Sequence, residues 1–183
     1  MIFFCKGKPQ IYGIHIVFQT VEPFKLNYIR IRYKQLALEK LKIQLIKAKE
    51  EDKVFLFKLR MQTMVVHLEK AGIFLSNKEH KDRVNKGFKG AYIVLRSNNK
   101  VGVLKCIETA ETIEIMQLQI APEYQGLGIG KKVVEDVISR AKSTKKILIL
   151  KVLKENPAIR LYERVGFKAI GEDDHEFHMK LIL

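Results

Sequence analysis

The chain has 183 residues, 34 Lys and Arg against 20 Asp and Glu, a formal net charge of +14 and 47% hydrophobic residues. That length suffices for one domain with a full core, and no apolar run approaches the roughly 18 residues of a membrane-spanning helix. Cys5 and Cys106 make neither a disulfide framework nor a C-x-x-C pair, which fits a reducing, cytoplasmic setting. The opening MIFFCKGKPQ is cut by Lys6, Lys8 and Pro9 before any long apolar core and no cleavage-type site follows, which argues against a signal peptide. The basic residues are spread along the chain, Trp is absent, and no run interleaves aromatics with Lys or Arg. A solvated basic surface accounts for this better than nucleic-acid binding.

Residues 1–40 are rich in Ile, Phe, Tyr and basic residues, with Pro9 and Pro23 as breakers. Three readings stay open for them: an extra strand and helix packed on the domain, a poorly ordered terminus, or an over-extended gene start ahead of a domain that begins at Leu41. From there the elements follow in order. Leu41 to Lys47 alternates as a strand. Glu50, Glu51 and Asp52 open a helix over 51–69, whose apolar stripe reads Val54, Phe57, Met61, Met64, Val65 and Leu68, with Gly72 closing it. Ser76 and Glu79 form a capping box for a shorter helix to about Val84. Ala91–Leu95 and Lys100–Glu108 are strands joined by the polar turn Ser97-Asn98-Asn99. Ile113–Ile120 is a long strand, a helix starts at Lys131, and Ile147–Val152 is a buried strand. Asn156 is the expected N-cap, Pro157 the first helical residue and Gly166 the residue past the helix end. Strands at Phe167–Ile170 and Glu176–Leu183 close the chain.

The segment IEIMQLQIAPEYQGLGIG, residues 113–130, is the most informative. A strand feeds a turn with Gly126, Gly128 and Gly130 that opens a helix, an arrangement suited to anions because glycine admits close backbone approach and the helix start offers free N–H groups. A P-loop is excluded because Lys132 follows Gly130-Lys131 where Ser or Thr is required. A dinucleotide fingerprint is excluded by the G-x-G-x-G spacing and by the lack of an acid on the strand Lys146–Lys151. The pattern Q/R-x-x-G-x-G/A fits Gln125 to Gly130 in full. Here, and again in NPAIRLYERVGF at Asn156–Phe167, the chain resembles the GNAT family of N-acetyltransferases.

The resemblance implies a mixed α/β fold over residues 41–183. Its central sheet is mostly antiparallel, flanked by helices, and its central strands splay to hold acyl-CoA. It implies that main-chain groups of Leu118, Gln119 and Ile120 hold the pantetheine arm. Gln125, Gly126, Leu127, Gly128, Ile129, Gly130 and Lys131 would form the pyrophosphate loop, and Asn156 would contact the pantetheine as well as cap its helix. Tyr162 would protonate the departing CoA sulfur; the alternative is a packed core tyrosine with its hydroxyl satisfied. Glu114 stands where some members place a catalytic base. Where others do stands Lys151, which as a charged ammonium cannot serve, so Glu114 or a water chain would take the proton. A solvated Glu near a strand start is the other reading of Glu114. His175 and His178, three apart on a strand, face opposite ways and make no metal site. The turn Glu172, Asp173, Asp174, Glu176 either draws a cationic amine or is merely solvated.

The expected function is an acetyl-CoA-dependent N-acetyltransferase, without metal, that transfers acetyl directly to a primary amine of a small molecule or a peptide. A non-catalytic acyl-CoA-binding sensor or partner module is the alternative, and a basic nucleic-acid-binding protein the third. Family members are often dimers, so a homodimer is expected.

Overall fold

A computed structural model describes residues 42–182. The readings of residues 1–40, and the placement of Leu41 and Leu183 in strands, lie outside the described residues. Strand β1 (Ile43–Lys47) leads into helices α1 (Lys53–Lys70) and α2 (Asn77–Asn85). Strands β2 (Ala91–Arg96), β3 (Asn99–Glu108) and β4 (Thr112–Ile120) follow, then α3 (Ile129–Ser143), β5 (Ile147–Leu153), α4 (Ile159–Arg164), β6 (Phe167–Glu172) and β7 (Glu176–Leu181). The strands form one seven-stranded sheet in the order β1-β2-β3-β4-β5-β7-β6. Every pairing is antiparallel except β4 with β5, so the sheet is mixed and mostly antiparallel, as expected. Among the described residues no helix is long and apolar enough to cross a membrane.

Alternate residues of the central strands point to opposite faces, and both faces are covered. On one face Val133, Val134, Val137 and Ala141 of α3 pack on Ile113, Ile115, Leu148 and Leu150. On the other, Leu56 and Leu59 of α1 and Val84 of α2 pack on Ala91, Ile93 and Val103. Burying a leucine contributes roughly 2 kcal/mol. The stripe expected for α1 is rotated in the structure: Val54 is exposed, and the buried face is Leu56, Leu59 and Arg60. The run Val54-Phe55-Leu56-Phe57 is apolar all round, so its periodicity leaves the phase to the packing partners.

Local chemistry fixes the ends of these elements. Ser97 and Asn98 take positive φ of 49° and 65° in the turn between β2 and β3, the conformation of a two-residue type I′ hairpin. The Ser76–Glu79 capping box forms, with Ser76 N–H donating to Glu79 Oε2 at 2.7 Å. At the start of α1 the buried Asp52 carboxylate accepts from the Lys49 amide at 2.7 Å and from Lys100 Nζ at 2.6 Å. Burial raises the Asp52 pKa, but the bonds from Lys100 and Lys49 outweigh it and the net shift is downward. The far end of α2 is closed by Lys105 of β3, which is 1% exposed. Its Nζ donates to the carbonyls of Arg83, Val84 and Lys86 at 3.1, 2.6 and 3.1 Å. A cation there satisfies orphan carbonyls and complements the negative end of the helix. Arg60 of α1 donates from Nε to Nδ1 of the buried His80 at 3.1 Å and so joins α1 to α2.

Two stability outcomes follow from these contacts. Asp52→Ala removes the acceptor for Lys49 N–H and Lys100, and is expected to lower unfolding free energy by about 1–2 kcal/mol in a urea titration. His80 must be neutral at Nδ1 to accept from Arg60; burial, reinforced by the Arg60 charge and opposed by Glu79, lowers its pKa from 6.5. The unfolded chain therefore binds a proton near pH 6.5 that the folded chain resists, so stability present above that pH falls as acid is added down to the folded value. Thermal melts at pH 7 and pH 5 should show the parent losing more stability than His80→Gln; parallel pH profiles would mean that His80 is not held neutral.

Candidate active site

The site arises where the central pairing stops. β4 pairs with β5 from Thr112↔Ile147 to Ile115↔Leu150 and no further, although both strands continue. On its other side β4 stays paired with β3 to Ile120, but the register shifts between Lys105↔Gln117 and Cys106↔Ile115, which leaves Met116 as the extra residue of a β-bulge. A bulge bends its strand and sharpens its twist, and here it turns β4 away from β5. Two glycines admit the bent strand. A Cβ on Gly87 would lie 2.8 Å from Met116 Sδ, and one on Gly102 would lie 2.4 Å from the Gln119 carbonyl oxygen.

The parted strands border a cleft of about 490 Å³. Its walls are Gln117, Leu118 and Gln119 of β4, Lys151, Val152 and Leu153 of β5, Asn156 and Tyr162 beyond them, the α1–α2 side, and the turn Asp173–Glu176. Tyr162 belongs to the core on the α3 face, 6% exposed, with its ring edge-on to Phe167 at 5.8 Å. Among the described residues its hydroxyl has no hydrogen-bond partner, although it lines the cleft. Burial pushes its pKa up to about 12. Asn156 Oδ1 accepts from the Ala158 amide at 2.9 Å, so its oxygen is a cap while the residue borders the cleft. The α-helix itself begins later than expected, at Ile159, because the first turn closes with Ile159 N–H to the Asn156 carbonyl, a tighter i to i+3 bond.

The glycine segment separates into distinct roles. Gly126 and Gly128 take φ of +72° and +79°, where glycine is favoured, and a Cβ on either would meet no protein atom within 4 Å. Gly128 is the N-cap of α3, which therefore starts at Ile129, two residues before the expected Lys131. The first amide to close a helical bond is Lys132, to the Gly128 carbonyl. Past the turn at residues 125–126, the amides of Gly128, Ile129, Gly130 and Lys131 have no hydrogen-bond acceptor among the described residues. Gln125 faces back into the protein, its Nε2 donating to the Ile120 carbonyl at 2.8 Å, so it and Ile120 fasten the loop to the strand end. Ile129 is core, Leu127 points outward, and Gly130 leaves room for Leu161 of α4, 3.4 Å from an added Cβ. Lys131 pairs with Glu135 at 3.5 Å on the surface.

Glu114 lies where β4 is still paired on both edges, across from Ile107 and Ile149, and is not among the residues lining the cleft, although its neighbours Ile115 and Met116 are. Asp173 in the last turn is already committed. It accepts from the amides of His175 and Glu176 and pairs with His178 at 2.9 Å, and these bonds hold its carboxyl well below the usual range. Lys151 lies 3.8 Å from the same carboxylate. His175 sits in this turn rather than on β7. Among the described residues no group of three or more His, Cys, Asp or Glu could hold a metal ion.

Two lining residues escape the sequence reading, Arg60 at 7% exposure and Lys105 at 1%, and Gln119, expected for its main chain, also buries its side chain, at 4%. Lys105 left a signal, a lone charge within Val101-Gly-Val-Leu-Lys-Cys-Ile107, and Arg60 left one as a charge beside Leu56 and Leu59. The side chain of Gln119 accepts from Gln117 Nε2 at 2.7 Å, and its own Nε2 is buried without a partner.

The model of the acetyltransferase (GNAT) family matches residues 55–167. No curated protein sequence matches the chain significantly. Among solved structures it is similar to the PaiA N-acetyltransferase from Thermoplasma acidophilum in complex with coenzyme A, with TM-score 0.63 and 19% identity over 78% of this chain and 99% of that one. The ribosomal-protein-S18-alanine N-acetyltransferase from Escherichia coli gives TM-score 0.59 and 17% identity over 76% and 93%. The spermidine/spermine N-acetyltransferase SpeG from Vibrio cholerae gives 0.57 and 21% over 77% and 93%. At these identities the structural likeness speaks to the fold, which agrees with the sheet and its parted central strands. The family model spans most of the described domain, including the glycine loop and Tyr162, and the chain belongs to the GNAT acetyltransferase family.

Proposed function

We propose that this protein is an acetyl-CoA-dependent N-acetyltransferase that moves acetyl directly onto a primary amine. The carrying observation is Tyr162, a buried ring whose hydroxyl has no partner among the described residues and opens on the cleft between β4 and β5. A tyrosine kept only for packing would have its hydroxyl bonded. The residues fit acetyl-CoA. The unpaired amides of 128–131 offer an anion cradle with open space before Gly126 and Gly128, and the β4 edge beside Leu118 and Gln119 has lost its ladder partner. Acetyl-CoA supplies an activated thioester when bound.

The chain's own groups divide the remaining work. With a pKa near 12 Tyr162 is fully protonated at neutral pH, whereas a free thiol has a reference value of about 8.5. Complete proton transfer from phenol to thiolate is therefore uphill, and Tyr162 acts first as a hydrogen-bond donor to the sulfur as charge builds. Asn156 keeps Oδ1 in its cap and leaves its amide nitrogen for the cleft. Glu114 stands one residue outside the lining, so it would receive the amine proton through water rather than by direct contact. The alternative, a non-catalytic acyl-CoA-binding module, would show binding without thiol release across amines. Spermidine and a protein alanine, named for the relatives above, bracket the acceptor sizes to test.

Gly128→Val forces a β-branched residue into a left-handed conformation and fills the open space before α3. Calorimetry should show acetyl-CoA affinity reduced roughly tenfold or more while circular dichroism still reports a folded chain; near-native affinity would remove the loop from the cofactor site. Tyr162→Phe keeps the ring contact with Phe167 and should lower kcat by roughly 10²–10⁴-fold with little change in acetyl-CoA affinity. An unchanged kcat would return Tyr162 to packing.

A further inference from the structure

The wall of the cleft formed by α1, α2 and β3 carries Arg60, Arg83, Lys86 and Lys105. Among the described residues no carboxylate forms a salt bridge with any of the four, although Glu79 acts on Arg83 from one turn away on α2. Two of them are buried, and burying an unpaired cation is strongly unfavourable. Lys105 is compensated by three carbonyls of α2. Arg60 is not: only its Nε has a protein acceptor, His80. The two Nη groups have no acceptor among the described residues, while the residue lines the cleft. In the same cleft Gln119 holds a buried amide atom without a partner. Turning the Gln117 and Gln119 amides together leaves one Gln119 atom unpaired either way.

The remaining cleft charges do not cancel this wall. Asp173 is taken by His178, Lys151 and two backbone amides. Asp174 and Glu176 lie on the opposite, turn side of the cleft. The cationic wall is also distinct from the glycine loop, since it stands on the α1–α2 face of the sheet whereas the loop opens α3 on the other.

Resting on the acetyltransferase reading, we infer that the acceptor amine carries an anionic group, a carboxylate or a phosphate, held by the Arg60 guanidinium with Arg83 and Lys86 around it. The planar guanidinium fork matches either anion with two parallel N–H donors. Burial and the neighbouring Arg83 lower the Arg60 pKa to about 10, which leaves it charged at neutral pH. A polycation would meet repulsion at this wall, so the acidic turn does not define the acceptor.

The test uses the full chain with CoA or acetyl-CoA saturating, so that the glycine loop is filled. Thiol release is measured for β-alanine against β-alaninamide, for glucosamine 6-phosphate against glucosamine, and for spermidine. Inorganic phosphate and acetate are titrated separately by thermal shift. The expected result is a kcat/KM higher by roughly 10- to 100-fold for the anionic member of at least one pair, together with stabilisation by a simple anion. Both effects should collapse in Arg60→Met and weaken in Arg83→Gln/Lys86→Gln, whose exposed positions keep the variant folded if Arg60→Met is not. Equal or better turnover of β-alaninamide, glucosamine or spermidine overturns the inference and leaves the acetyltransferase reading intact. No thiol release with any amine, but anion stabilisation that depends on Arg60, fails that reading and keeps the anion site. Absence of both overturns the two together.

Discussion

The organisation of this domain depends on one extra residue in one strand. Up to Ile115, β4 is hydrogen-bonded on both edges; at Met116 the bulge is absorbed against β3, and contact with β5 is lost for the rest of the strand. An unpaired strand edge inside a sheet is unfavourable unless something else meets its polar groups. The two helical layers keep the parted strands from simply closing. α3 grips the paired halves of β4 and β5 from one face, through Ile113, Ile115, Leu148 and Leu150. On the other face Met116 is seated against Gly87, just past the end of α2. The cleft is thus a built part of the sheet.

Because it passes through the sheet, the cleft joins two faces with different chemistry. The α3 face offers a neutral phenol at Tyr162 in the cleft, with the glycine loop opening on the same face outside the cleft lining. The α1–α2 face offers side-chain cations. On the proposed reaction, donor and acceptor would approach from opposite sides and meet in the plane of the sheet, without sharing a binding surface. The net charge of +14 adds a general attraction for anions, but exposed lysines are screened over about 8–10 Å in physiological salt. Arg60, shielded from that screening, is the cation on which the proposed selectivity rests.

Most of this fold was legible because its signals are local. Alternation marked the strands, Ser76 with Glu79 marked the start of α2, and the asparagine turn marked the β2–β3 hairpin. The glycine loop was legible for the same reason: positive φ at Gly126 and Gly128 is a demand on single residues. Its inner division was not. Gln125 and Gly130 belong to the same pattern as Gly128, yet one ties the loop to Ile120 and the other makes room for Leu161, and both partners are set by tertiary packing. The phase of α1 was misread where Val54 to Phe57 is apolar on every side. The bulge leaves no local mark at Met116, so the position of Glu114 outside the cleft could not be read from strand spacing.

The two buried cations show where stability ends as an explanation. A lysine at 105 is explicable from folding alone, since the last carbonyls of α2 need a donor and no apolar side chain of similar volume could supply one. Arg60 has no such account. Its bond to His80 satisfies one nitrogen, whereas a methionine there would fill similar space on the same helix face without a charge to desolvate, and exchanges of buried charges for apolar groups are often neutral or stabilising. His80 is also the residue whose protonation would work against Arg60, so the pair makes the domain sensitive to acid. A guanidinium kept at that disadvantage, with its fork turned to neither a carboxylate nor a carbonyl of the described chain, is placed for an acceptor that the chain itself does not contain.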